Sequence, residues 1–186
     1  ACTAESYAGS GEVSENIGNN HTTDYWILKL DSLGNIQWKQ NFGGSNYERS
    51  PNMIRIGDGN LIIASNTRSS DFDASGNHGA IDGFVVKMNS NGNKIWSKCI
   101  GGSNEEYITD VLSTSDSAFA LVGYTNSTDG DIENNHGGSD GWLIKMKNDG
   151  TVLSEKCYGS DKDDGFDGID RLKDERIAVI GSAGAA

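Results

Sequence analysis

The chain repeats itself at a fixed interval. DYWILKL begins at Asp24, DGFVVKM at Asp82 and DGWLIKM at Asp140, a constant spacing of 58 residues. The match runs on without a gap, and from Asp24 onward five columns hold one residue type in all three copies. They are Asp24/Asp82/Asp140, Lys29/Lys87/Lys145, Gly34/Gly92/Gly150, Gly43/Gly101/Gly159 and Asp58/Asp116/Asp174. Apolar columns recur too, among them Trp26/Phe84/Trp142 and Met53/Val111/Ile169. A period of this length means that each copy is one supersecondary unit, which buries its apolar faces only against its neighbours.

Each copy reads as four short strands. In the middle of the chain these are Glu106 to Ser113, Ala118 to Tyr124, Gly141 to Met146 and Thr151 to Tyr158. The second is almost continuously apolar, as a strand buried on both faces should be. Asn148-Asp149-Gly150 is a hairpin signal between the third and fourth. No amphipathic helical stretch of useful length interrupts them. Four antiparallel strands per copy, at a period near 50 residues, predict an all-β fold, a β-propeller of four-stranded blades. The runner-up, a β-sandwich, would not need a gapless period. Ile62, Ala64, Val85, Ala120, Val122 and Ile144 are the expected core.

The expected division is a partial blade over 1–46, blades over 47–104 and 105–162, and a partial blade over 163–186. About three repeats do not close a ring that typically takes 4–8 blades. The chain therefore reads as a piece of a longer one, or as one that needs further blades from the same or another chain.

Composition removes several partners. The sequence has 27 acidic and 15 basic side chains, a formal net charge of −12, which argues against nucleic acid or an anionic membrane surface. No apolar run approaches the roughly 20 residues that span a bilayer. Gly 25 and Pro 1 fit many tight turns between short elements.

DYWILKLDSLGNIQWKQNFGGS, DGFVVKMNSNGNKIWSKCIGGS and the NHGGSDGW join resemble the tandem propeller repeats of secreted and cell-surface bacterial proteins, frequent in Bacteroidetes. The pattern is also similar to quinoprotein-like propellers, in which a Trp after a Gly turn docks neighbouring blades. Trp38 and Trp96 match that place and Ser154 does not. The resemblance implies an extracellular or surface-exposed propeller and no catalytic residues.

Several constellations have a chemical and a structural reading. His21, His78 and His136 all sit in the loop before the third strand, and each follows an Asn. A catalytic group is needed once, so the expected role is a ring hydrogen-bonding the neighbouring turn. Cys99 and Cys157 are one period apart, too far for a disulfide between equivalent positions, and Cys2 makes the count odd. Lys29, Lys87 and Lys145 are cations inside apolar strands, and Glu48, Glu106 and Asp164 are their expected partners. Trp26, Trp38, Trp96 and Trp142 are expected to pack, although exposed indoles could stack on sugars.

Two loops have oxygen-bearing residues at the spacing of a Ca²⁺ loop. One set is Asp71, Asp73, Ser75 and Asp82, the other Asp129, Asp131, Glu133 and Asp140. The expected cofactor is accordingly none, or Ca²⁺. The competing reading is that these side chains cap their own turns. In the first copy only Glu12, Ser14, Asn16 and Asp24 remain of the pattern, out of phase by a residue.

No nucleophile elbow, P-loop or His-Glu-x-x-His motif is present. The functional expectation is a non-catalytic secreted or cell-surface propeller that binds a glycan or protein, or acts as a scaffold. The alternative is a fragment of a propeller-fold polysaccharide hydrolase or lyase.

Overall fold

The computed structural model describes residues 2–6, 17–18, 22–114, 117–174 and 176–185. His21, Glu12, Ser14, Asn16, Asp116 and the side chain of Cys2 lie outside them. The described residues form β-strands joined by turns and loops, with one 3₁₀ turn at Phe72–Ala74. The strands are β1 (Cys2–Ser6), β2 (Asp24–Leu30), β3 (Ile36–Phe42), β4 (Glu48–Arg55), β5 (Leu61–Thr67), β6 (Asp82–Met88) and β7 (Lys94–Ile100). They continue as β8 (Glu106–Ser113), β9 (Ala118–Thr125), β10 (Asp140–Lys147), β11 (Val152–Tyr158), β12 (Gly165–Arg171) and β13 (Ile177–Ser182).

The strands make four sheets in chain order: β1-β2-β3, β4-β5-β6-β7, β8-β9-β10-β11 and β12-β13. Every strand is antiparallel to its neighbours within its sheet. Each β2–β3-type hairpin turns on a glycine: Gly34, Gly92 and Gly150 have φ of 87°, 90° and 90°. An L side chain resists that left-handed region, which explains one of the five invariant columns. A register shift sits beside each of these turns, between Lys29/Leu30, Lys87/Met88 and Lys145/Met146. That is a bulge following the turn.

The sheets stack in series, and strand periodicity decides which core each residue joins. On β6, Phe84, Val86 and Met88 pack with Tyr25 and Ile27 of the preceding sheet. Val85, between them, joins Ile108, Val111, Phe119, Leu121, Trp142, Ile144 and Met146 of the following sheet. On β9, Phe119 and Leu121 face back, while Ala120 and Val122 meet Ile169 of the last sheet. The two inner sheets are thus covered on both faces. This is why β5, β6 and β9 read as continuous apolar runs, and why a two-layer sandwich does not describe the stack. Ile62, Ala64, Val85, Ala120, Val122 and Ile144 are all buried as expected. The buried Val and Ile side chains each contribute about 1.5–3 kcal/mol of transfer free energy, and the alanines less.

Polar ties cross the same junctions. Asn66 on β5 clamps Ile108 on β8, its Nδ2 donating to the Ile108 carbonyl (3.2 Å) and its Oδ1 accepting from the Ile108 N–H (2.6 Å). Asn52 Nδ2 donates to Thr109 O (2.8 Å), and the Thr109 hydroxyl donates to Phe166 O (2.7 Å). Residues one copy apart therefore hold each other through main-chain groups.

Candidate functional site

The invariant lysines and the repeated tryptophans act together. Lys29 Nζ and Trp38 Nε1 both donate to the Ser90 carbonyl, at 3.2 and 3.3 Å. One copy later, Lys87 Nζ and Trp96 Nε1 both donate to the Asn148 carbonyl, at 3.0 and 3.3 Å. Ser90 and Asn148 belong to the glycine turns of the next sheet, and Trp38 packs against Gly92 and Trp96 against Gly150. Each of these two junctions is latched by an indole and an ammonium on one main-chain oxygen. Ser154 deprives the third copy of its indole.

The lysine partners differ from the sequence expectation. Lys87 pairs with Asp58 (3.0 Å), in the turn between β4 and β5, and not with Glu48 or Glu106. Sequence spacing could not reveal this, because the β4–β5 turn comes beside β6 only through the pairing of β5 with β6. Asp58 itself belongs to an invariant column, so two invariant columns meet in this pair.

The acidic column Glu48/Glu106/Asp164 goes to a different place. Glu48 is fully buried, accepting from the Thr67 hydroxyl (2.6 Å) and the Gly44 N–H (3.0 Å). Glu106 does the same with Thr125 (2.7 Å) and Gly102 (2.7 Å). Opposite each stands the invariant aspartate, also fully buried. A Cβ on Gly43 would lie 2.3 Å from both Asp24 Oδ1 and Glu48 Oε2. One on Gly101 would meet Glu106 Oε2 at 2.5 Å and Asp82 Oδ1 at 2.8 Å, and one on Gly159 would meet Asp140 Oδ1 at 2.5 Å and Asp164 Oδ2 at 2.9 Å. The invariant glycines leave room for these carboxyl pairs. Asp24 Oδ1, Asp82 Oδ1 and Asp140 Oδ1 have no hydrogen-bond partner among the described residues. Burial, and then Glu48 beside it, push the Asp24 carboxyl up to about 8 against the lowering pull of the Ile17 N–H. Glu48 is raised by burial too.

The two predicted Ca²⁺ loops are split between these glycine turns. Asp71 Oδ1 accepts from Ser45 N (2.8 Å), and Asp73 exchanges hydrogen bonds with Gly43 and pairs with Lys94. Asp129 Oδ1 accepts from Ser103 N (2.8 Å), and Asp131 Oδ2 from Gly101 N (3.2 Å). So Asp71 and Asp73 meet the turn beside Asp24 and Glu48, and Asp129 and Asp131 meet the one beside Asp82 and Glu106. Their side chains meet the turn that joins one sheet to the next and not their own. Asp82 and Asp140 instead bind His78 Nδ1 (2.9 Å) and His136 Nδ1 (2.6 Å). Those rings therefore contact the aspartate of their own strand instead of a neighbouring turn. Ser75 ends the 3₁₀ turn, and Glu133 donates its N–H to Glu155 (3.3 Å). Among the described residues no group of three or more His, Cys, Asp or Glu is placed to hold a metal ion.

Cys99 and Cys157 are free thiols, and burial pushes both up to about 12. Trp142 is buried, its Nε1 donating to Glu155 (2.7 Å).

One cavity departs from the repeat. It lies between the ends of β4 and β5 and the start of β8, has a volume of about 300 Å³, and is lined by Tyr47, Arg49, Asn66, Thr67, Arg68, Ile81 and Tyr107. Arg49 lies over the Tyr47 ring at 5.0 Å. Tyr107 stacks on Tyr124 with centroids 4.9 Å apart, and its hydroxyl reaches Glu105 (3.5 Å) and Arg68. Neither Arg49 nor Arg68 is ion-paired among the described residues. One period on, Tyr47, Arg49 and Arg68 become Glu105, Tyr107 and Asn126, and then Asp163, Gly165 and Gly184. Sequence reasoning passed over this set. The available signal was the pair of arginines in columns where the other copies carry none. No helix among the described residues is long and apolar enough to cross a membrane. No protein-family model matches the chain, and no curated protein matches it significantly.

Proposed function

We propose that the chain is a non-catalytic binding module of the β-propeller type, its sheets serving as blades, secreted or displayed at a bacterial cell surface. The placement outside the cell and the propeller arrangement rest on the resemblance of the repeats. The observation that carries the binding reading is the cavity at Tyr47, Arg49, Arg68 and Tyr107, where the repeat is broken. The recurring columns serve turns, buried carboxyl pairs and sheet junctions, whereas this cavity is lined by two arginines that have no counterpart in the other copies. The carboxyl pairs argue against a hydrolase or lyase. Asp24, Glu48, Asp82, Glu106 and Asp140 are buried, and an acid–base pair must touch its substrate. The test is a glycan and protein array probed with the chain, run beside reducing-end and unsaturated-product assays on polysaccharides. Ligand capture without turnover is expected. Turnover abolished by Asp82→Asn would overturn the reading.

A further inference from the structure

We propose that the Tyr47–Arg49–Arg68–Tyr107 cavity binds a carboxylated sugar, a ligand class that deepens, and rests on, the binding-module reading above. A chain with a formal net charge of −12 repels anions, yet two guanidiniums without ion-pair partners among the described residues line one cavity. A guanidinium has five N–H donors in a fixed fork, which suits a carboxylate held by two parallel bonds. Arg49 lies over the Tyr47 ring, an arrangement that leaves its N–H groups undemanded by that contact. Arg68 reaches the Tyr107 hydroxyl, which orients the guanidinium while other donors stay available.

The remaining groups extend the specificity beyond charge. Tyr47 and Tyr107 offer flat aromatic surface, the kind on which the C–H face of a pyranose stacks. Glu105, beside the Tyr107 hydroxyl, is an acceptor for a ligand hydroxyl and would repel a second negative charge. One carboxylate, several hydroxyls and an apolar face describe a sugar acid better than a phosphate or a polyanion. The volume of about 300 Å³ lies at the small end of ligand pockets and suits one such ring with part of a second. The walls are held in place. Asn66 is clamped to Ile108, Ile81 bridges to Glu105, and the Arg68 N–H donates to Tyr47 O (2.8 Å).

The test is calorimetric titration of the chain with an oligogalacturonate, its methyl ester, a neutral oligogalactoside and a sialylated lactose. The wild type is expected to bind at least one of the two acidic sugars, with the ester and the neutral sugar weaker by about tenfold or more. Whichever acidic sugar binds distinguishes a uronate from a sialate source. Arg49→Gln and Arg68→Gln should each weaken binding by about tenfold. Their melting temperatures should match the wild type, because both side chains are exposed. Equal binding of acid and ester, unchanged binding by both variants, or no binding of either acidic sugar would overturn the proposal. If the array still captures another ligand in a manner indifferent to Arg49→Gln/Arg68→Gln, only the sugar-acid assignment has failed. If the array captures nothing, the binding-module reading fails with it.

Discussion

The two ends of the same junction obey different rules. At the hairpin end, Lys29 with Trp38 and Lys87 with Trp96 grip the next sheet by the same bonds. The gripped residues, Ser90 and Asn148, are different, because only their carbonyl oxygens are used. At the other end, between β4–β5 and β8, Tyr47, Arg49 and Arg68 have no counterparts in the next copy. A side chain that binds main chain is fixed while its target is free to change. A side chain that no neighbour needs is free to acquire a role of its own. The repeat therefore separates structural residues from candidate functional ones.

The largest expected effect comes from filling a glycine column. Gly101→Val puts carbon against Glu106 Oε2 and Asp82 Oδ1, both buried and unable to retreat to water. A loss of about 3 kcal/mol or more is expected in chemical denaturation, from overpacking and from disturbed buried polar groups. Gly57 has open space around it and no positive φ, so Gly57→Ala should lie within about 0.5 kcal/mol of the wild type. Equal midpoints for the two variants would show that the carboxyl pairs can separate without cost.

The latch comes next. Trp96→Ala removes a half-buried indole, its bond to Asn148 O and its packing on Gly150, with an expected loss of about 2 kcal/mol. Lys87→Met keeps the stem and deletes two bonds, one to the half-exposed Asp58, so a loss of about 1 kcal/mol is expected. If Lys87→Met melts like the wild type, the ammonium contributes only solubility and the latch is the indole alone.

Much of this was legible in the sequence because it repeats. The strands and the central core residues follow from a 58-residue period and alternation, and the Trp docking from the resemblance of the repeats. Which acid meets which lysine was not, since Asp58 approaches Lys87 through a strand pairing that spacing does not encode. The Ca²⁺ spacing bears on the same point. Asp71 and Asp82 are close in sequence, yet Asp71 turns to Ser45 and Asp82 to His78, so loop spacing alone cannot decide convergence. The cavity stayed hidden because reasoning from a repeat favours what recurs.

The carboxyl pairs give a pH signature that differs between junctions. Asp24 is raised from an ordinary 3.8 to about 8, so the folded chain holds a proton that the unfolded chain releases between those values. Stability from this group is therefore present at low pH and is lost as pH rises toward about 8. The groups that face it are Glu48, Asp73 and the Ile17 N–H. Asp24→Asn removes the titration. The variant should show a flatter melting-temperature profile and melt roughly 3 °C higher than the wild type above pH ~8. Asp164 behaves in the opposite sense. The Ser160 N–H and hydroxyl, with the Gly184 N–H, hold it below the ordinary carboxylate range. Its contribution is present above that range and fades as pH falls into it. Asp164→Asn should thus lose stability at neutral pH while changing little in acid. Parallel profiles for the two variants would show that the pairs are electrostatically alike.

The smallest expected effect sharpens the comparison most. Arg68→Asn gives the first full sheet the residue that its successor has, Asn126, at the same point of the repeat. The backbone bond from residue 68 to Tyr47 O survives, because it uses main-chain atoms. The lost guanidinium is exposed and has no ion-pair partner among the described residues, and only its contact with the Tyr107 hydroxyl goes. A stability change within about 0.5 kcal/mol is expected from denaturant midpoints. Arg49→Tyr makes the same exchange on β4, copying Tyr107, and should be equally silent. Were either substitution to cost as much as Trp96→Ala, the arginines would belong to the architecture, and the cavity would lose its claim to be the part of the junction released from it.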